Sequence, residues 1–110
     1  MAWHTYLTTT FSPSMVASGI FCGRAVSLDE AKEALGPEGT FISAVGHEVT
    51  AGVLSALLGV RVPFARTNLA LEPYDRVVVI IPRFRAEVAR EFSREEVEAA
   101  GFSAYLVDID

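Results

Sequence analysis

Apolar and polar positions alternate in several registers along the chain, and these registers predict its elements. Trp3-His4-Thr5-Tyr6-Leu7-Thr8-Thr9 is rich in β-branched and aromatic residues and reads as a strand. Ser12-Pro13-Ser14 breaks it with a loop or short turn. Ile20 to Val26 reads as a second strand, weakened by Gly19 and Gly23. Ser27-Leu28-Asp29-Glu30 has the spacing of a capping box, in which hydroxyl and carboxylate satisfy two amides reciprocally. The helix it opens runs through Leu35 and stops at Gly36 and Pro37. Thr40-Phe41-Ile42 is a short extended piece. A second helix begins near Ser43 to His47. Its apolar positions Val49, Val53, Leu54, Leu57 and Leu58 recur at three and four, which marks a buried stripe ended by Gly59.

Val60 to Phe64 reads as a strand, and Arg66 to Leu71 as a strand or an extended loop. Val77-Val78-Val79-Ile80-Ile81 is the most apolar run. Such a continuous β-branched run predicts a central strand covered on both faces, ended or bulged at Pro82. Ser93-Arg94-Glu95-Glu96 repeats the capping-box spacing, and its helix closes at Gly101. Phe102 to Ile109 is a last strand. The expectation is an α/β fold over residues 1–110: one domain, a mixed central sheet of about five strands, and flanking helices.

Composition narrows the class. The chain has 110 residues, 51% hydrophobic and 21% charged, which predicts one globular core rather than disorder. No apolar run reaches the ~20 residues that cross a bilayer, and Met1-Ala2-Trp3-His4 lacks the basic and apolar regions of a signal peptide. The single cysteine, Cys22, excludes an internal disulfide and a cysteine-rich metal motif. Together these features predict a cytoplasmic protein without membrane contact. The net charge of -5 disfavours duplex nucleic acid, whose binding neutralises many phosphates. Seven of the nine basic residues nevertheless lie between Arg61 and Arg94, and all seven are arginine. Arginine makes bidentate phosphate contacts, so a small polyanion is compatible with this acidic chain. The same arginines equally suit solvated strand edges and ion pairs.

Candidate chemistry follows. His47 comes after Gly46 at the start of the long helix, where unpaired amides attract an anion. A phosphate there keeps the imidazole protonated; the bland alternative is a surface or capping histidine. Thr50, one turn on, shares its face. Arg83 and Arg85 follow the central strand at alternating positions, so both are expected to face one pocket, or else to guard a strand edge. His4 and His47 are the only histidines, without partners at metal-ligand spacing, so no metal is expected. Nothing calls for a cofactor: the chain contains neither a phosphate-binding glycine loop nor a Gly-x-Ser-x-Gly elbow. One histidine plus arginines suits ribonuclease-type transesterification. RNA supplies the nucleophile, cations stabilise the phosphorane, and a histidine near its working pKa protonates the leaving oxygen.

Phe11-Ser12, Gly46-His47-Glu48-Val49-Thr50, Leu58-Gly59, Arg66, Asp75, Arg85, Glu95-Glu96 and Tyr105-Leu106-Val107-Asp108 stand in one order and at near-constant spacing over nearly the whole chain. This series resembles the viral anti-CRISPR ring nucleases of type III systems and their bacterial relatives. The resemblance implies a two-fold homodimer that binds cyclic tetraadenylate. It implies metal-free cutting to linear di-adenylate with 2′,3′-cyclic phosphate ends. It makes His47 the general acid and Arg85 a catalytic phosphate-stabilising group. Ser12, Thr50 and Arg66 become substrate contacts, with Phe11 and Gly46 in the surrounding motif. Thr9 stands where the family often has Asn, Ile81 replaces a polar residue, and Glu87 or Val88 occupies a place that is often acidic. The alternatives are a non-catalytic sponge for the same ring and an interaction protein with no nucleotide ligand.

Overall fold

The computed structural model describes residues 4–88 and 90–110. Five strands form one sheet in the order β2-β5-β4-β1-β3. They are β1 (Thr5–Thr8), β2 (Phe21–Ala25), β3 (Ile42–Ser43), β4 (Arg76–Pro82) and β5 (Phe102–Ile109). β1 pairs in parallel with β3 and β4, while β5 runs antiparallel to both β4 and β2. The mixed α/β sheet read from the sequence is therefore present. Trp3, expected in the first strand, lies outside the described residues.

Three helices accompany the sheet: α1 (Leu28–Leu35), α2 (Glu48–Leu58) and α3 (Arg94–Ala100). Both capping boxes form, with Ser27 accepting from the Glu30 amide and Ser93 from the Glu96 amide. α2 begins at Glu48 with His47 as its N-cap, and Gly59 ends it at φ 71°, a left-handed conformation that glycine adopts without steric cost.

The pleat of β4 divides the core. Val78 and Ile80 pack with Ala51, Leu54, Leu57 and Val97 on the helical face. Val77 and Val79 pack on the other face with Leu71, Val107 and Ile109. That second face carries no α-helix; Met15 of the short 3-10 turn Pro13–Met15 and the loop residues Phe11, Val16 and Leu69 cover part of it. Val77 to Ile80 are all buried, as expected for the central strand, but Ile81 of the same run is 44% exposed, on the face that no α-helix covers.

Val60 to Phe64 is not a strand. Its backbone pairing is a single isolated bridge between Phe64 and Val45, just beyond β3. Its polar groups go to side chains instead: Arg61 N–H donates to Glu38 (2.6 Å), Val62 N–H to the Ser55 hydroxyl (2.9 Å), and the Pro63 carbonyl accepts from Ser43 (2.6 Å). Pro63 has no amide proton to offer a ladder. Arg66 to Leu71 takes the extended-loop alternative, tied down at Leu71, whose N–H donates to Met15 O at 2.7 Å.

Candidate functional site

Parallel pairing brings the carboxyl ends of β1, β3 and β4 to one edge of the sheet. Residues just beyond those ends are the natural ligand-facing positions of an α/β sheet. Most of the candidate residues lie there.

α2 starts beyond β3. His47 has extended backbone (φ -130°, ψ 126°), its carbonyl accepts the first helical bond from Ala51, and its side chain makes no capping bond. The imidazole is thereby left to the cleft, and the first helical amides face the same opening. Across the cleft, the chain leaving β4 carries Arg85 and Glu87. His47, Thr50, Arg85 and Glu87 line one cavity of about 590 Å³, with Glu48 and Phe84 also in its wall. Four residues singled out from the sequence thus converge, drawn from two elements far apart in the chain.

Arg66 stands beside this cavity without lining it. Its Nε donates to the Gly46 carbonyl at 3.2 Å, which fixes the guanidinium next to the residue preceding His47. A β-carbon at residue 46 would stand 3.6 Å from Arg66 Cγ, an ordinary van der Waals contact, so this approach does not depend on the glycine. Among the described residues neither Arg66 nor Arg85 belongs to a salt bridge.

Arg83 does not join Arg85. Its guanidinium donates to the Ser103 hydroxyl at 3.3 Å and lies over Gly101, where a β-carbon would come within 2.9 Å. The missing side chain at Gly101 leaves room for Arg83 to fold toward β5, so the expected shared pocket is not formed. Thr9, Phe11 and Ser12 follow β1 at the same edge but do not line the His47 cavity. The Phe11 ring meets Phe21 edge-on, with centroids 5.4 Å apart, and the Ser12 hydroxyl bonds that of Ser14 at 2.9 Å. Asp75 lies at the opposite edge, buried, accepting from the amides of His4 and Glu72 at 3.0 and 2.9 Å. It is a structural clamp.

Sequence reasoning missed the brace behind Arg85. Arg90 sits over the Phe92 ring at 4.5 Å and the Phe84 ring at 5.8 Å. Both its terminal nitrogens donate to Glu96 at 2.9 Å, and this bidentate pair lowers the Glu96 carboxyl to about 2. Glu96 also closes the α3 capping box, so one carboxylate ties loop and helix together. The clustering of Phe84, Arg90, Phe92 and Glu96 within one short segment was the available signal.

No helix is long and apolar enough to cross a membrane among the described residues, and no group of three His, Cys, Asp or Glu could hold a metal ion there. The fold and the edge site define a small α/β protein with a cleft at the carboxyl ends of parallel strands. The STIV B116-like family pattern matches residues 5–104, and the chain belongs to that family. It is 36% identical over 87 residues to uncharacterized protein 26 of Sulfolobus islandicus filamentous virus (isolate Iceland/Hveragerdi), covering 78% of this chain and 73% of that one. It is 37% identical over 84 residues to uncharacterized protein ORF117 of Acidianus two-tailed virus, covering 74% and 72%. The fold matches B116 of Sulfolobus turreted icosahedral virus with a TM-score of 0.79 at 22% identity, over 96% of this chain and 98% of that one.

Proposed function

We propose that the protein is a metal-independent ring nuclease that opens cyclic tetraadenylate and so switches off type III CRISPR signalling in the cytoplasm. The observation that carries this reading is the convergence of His47, Thr50 and Arg85 on one cavity. In the proposed step a ribose 2′-hydroxyl attacks the adjacent phosphorus in line and releases its proton to solvent. The bond from phosphorus to the 5′-oxygen breaks, and the protonated His47 imidazole donates its proton to that oxygen. Arg85, the α2 amides and neighbouring Arg66 hold the non-bridging oxygens. The products are linear di-adenylates ending in 2′,3′-cyclic phosphate, formed without water or metal. Thr50 positions the ligand beside His47.

A four-fold repeating ring suits a two-fold dimer, in which each subunit cuts one side. The sheet face without an α-helix supplies apolar surface for such a dimer. Phe11, Phe21, Ile81 and Tyr105 line a shallow hollow there. Thr9 and Ile81, the departures from the family that would favour a non-cutting sponge, both lie outside the His47 cavity, which favours the enzyme.

The test is incubation with cyclic tetraadenylate in EDTA. Linear di-adenylate with cyclic phosphate ends is the expected product. His47→Ala should lower the single-turnover rate by roughly 10²–10⁴ while still binding the ring. Intact ring recovered from the wild type would select the sponge. No thermal shift with the ring would remove both readings.

A further inference from the structure

A second cavity lies beside the first, and its chemistry is different. It has a volume of about 420 Å³ and opens among Thr10, Ser14, Thr67 and Asn68, with Met15 and Leu69 as apolar walls. None of its lining side chains is ionisable, whereas the neighbouring cavity holds His47, Arg85, Glu48 and Glu87. Charged and neutral lining are thus segregated along one edge of the sheet.

We propose that this neutral cavity is the base-reading subsite of the ring nuclease, with Asn68 selecting adenine. The inference rests on the function proposed above. A phosphate gains little from uncharged hydroxyls and an amide when arginines lie alongside. A flat heterocycle gains more. The Asn68 carboxamide presents a donor and an acceptor in one plane, which matches the N6 amino group and N7 of adenine. The thioether of Met15 and the isobutyl group of Leu69 offer polarizable and apolar contact to a ring. The Thr10 and Thr67 hydroxyls both donate and accept, as a ribose requires.

The spacing fits one nucleotide. Ala44 lines the neutral cavity and His47 the charged one. The three peptide steps between them span at most about 10 Å, the scale of a phosphate and its attached base. Arg66 marks the seam, bonded to the Gly46 carbonyl and followed directly in the chain by Thr67.

The test compares cyclic tetraadenylate with cyclic tetrainosinate, whose hypoxanthine replaces the N6 donor by an oxygen. Binding is measured calorimetrically on the non-cutting His47→Ala protein, or on His47→Gln if alanine impairs folding. The adenylate ring should bind roughly tenfold or more tighter. Asn68→Ala in the same background should weaken the adenylate ring by a similar factor and abolish the preference. Asn68→Gln, which keeps the carboxamide, should restore part of it. Rings that bind equally well, or a preference that survives Asn68→Ala, would overturn the subsite and leave the ring-binding function standing. Binding of neither ring would overturn the function itself, and the subsite with it.

Discussion

Phe92 lies so close to Gly52 that a β-carbon at residue 52 would stand 3.2 Å from the ring's Cε2. The contact joins the middle of α2 to the loop that carries Arg85. Phe92 in turn meets Phe84 edge-on at 5.6 Å, and Phe84 lines the His47 cavity. The segment that carries Arg85 is therefore packed against α2 at a missing side chain in the middle of the helix.

Gly52→Ala tests that relationship. Alanine gains up to about 1 kcal/mol of helix propensity over glycine, while the tight contact forces Phe92 to move by a few tenths of an ångström. The two effects oppose in stability, so unfolding by urea should shift by less than about 1 kcal/mol. The proposed cleavage would have no such compensation, because small displacements of catalytic groups are costly. The single-turnover rate should fall several-fold. An unchanged rate would show that the loop moves independently of α2.

The Arg90–Glu96 pair makes a prediction about pH. Hydrogen bonding to Arg90 lowers the Glu96 pKa from 4.5 to about 2. A carboxylate depressed in the folded state stabilises it above the unfolded pKa, and that contribution is lost as pH falls through the folded one. The brace should therefore weaken between pH 4.5 and about 2, not near neutrality. Carboxyl-carbon NMR should place the Glu96 midpoint near 2, and Arg90→Ala should return it toward 4.5. A wild-type midpoint in the ordinary glutamate range would mean the pair does not form in solution.

Local features were legible in the sequence; features that needed distant partners were not. The two capping boxes, at Ser27 and Ser93, depend on residues three apart and form as read. The β4 run announced its burial because both faces of a central strand must be apolar. His47 was placeable at a helix start because Gly46 precedes it and an apolar stripe follows. Val60 to Phe64 looked like a strand, but Ser43, Ser55 and Glu38 take its polar groups, and no local signal names those partners. Arg83 parted from Arg85 because its guanidinium meets Ser103 and Gly101, distant partners that no local signal names. The neutral cavity was hidden for the same reason: Thr8 and Asn68 meet only once β1 and the 66–71 loop are folded together.

Asp75 anchors the edge away from the site, and its removal should cost stability rather than chemistry. It is 2% exposed and accepts from the backbone amides of His4 and Glu72. Asp75→Ala leaves both donors without that acceptor, at about 1–3 kcal/mol each when buried. Urea unfolding should show a loss of about 3 kcal/mol. Tyr6 provides an independent readout, because its pKa is raised by burial first and by Asp75 next. An ultraviolet titration of the variant should move Tyr6 down toward 10.0, its ordinary value. A stability change with no movement of Tyr6 would place the effect elsewhere.

The sheet face that carries no α-helix makes the last prediction, about assembly. Phe21, Ile81 and Tyr105 are 40%, 44% and 40% exposed on strands β2, β4 and β5, and Gly23 leaves a hollow between them. Their odd-numbered positions put them on the same side of the pleat as Val79 and Val107. Contiguous apolar surface of this kind marks an association site on a small protein, and a second copy is the occupant that the two-fold ring reading requires. Tyr105→Glu would place a carboxylate in the middle of that interface, where an unpaired charge costs several kcal/mol. Light scattering after size exclusion should find the wild type at twice the chain mass and Tyr105→Glu at the monomer mass. Ile81→Asp should do the same. His47 and Arg85 come from one chain, so the monomeric variants keep the cavity while losing the surface that the second half of the ring would engage. Ring affinity should fall in step with dimer dissociation. A wild type that is monomeric while cutting the ring at full rate would separate the catalytic cavity from any need for a partner.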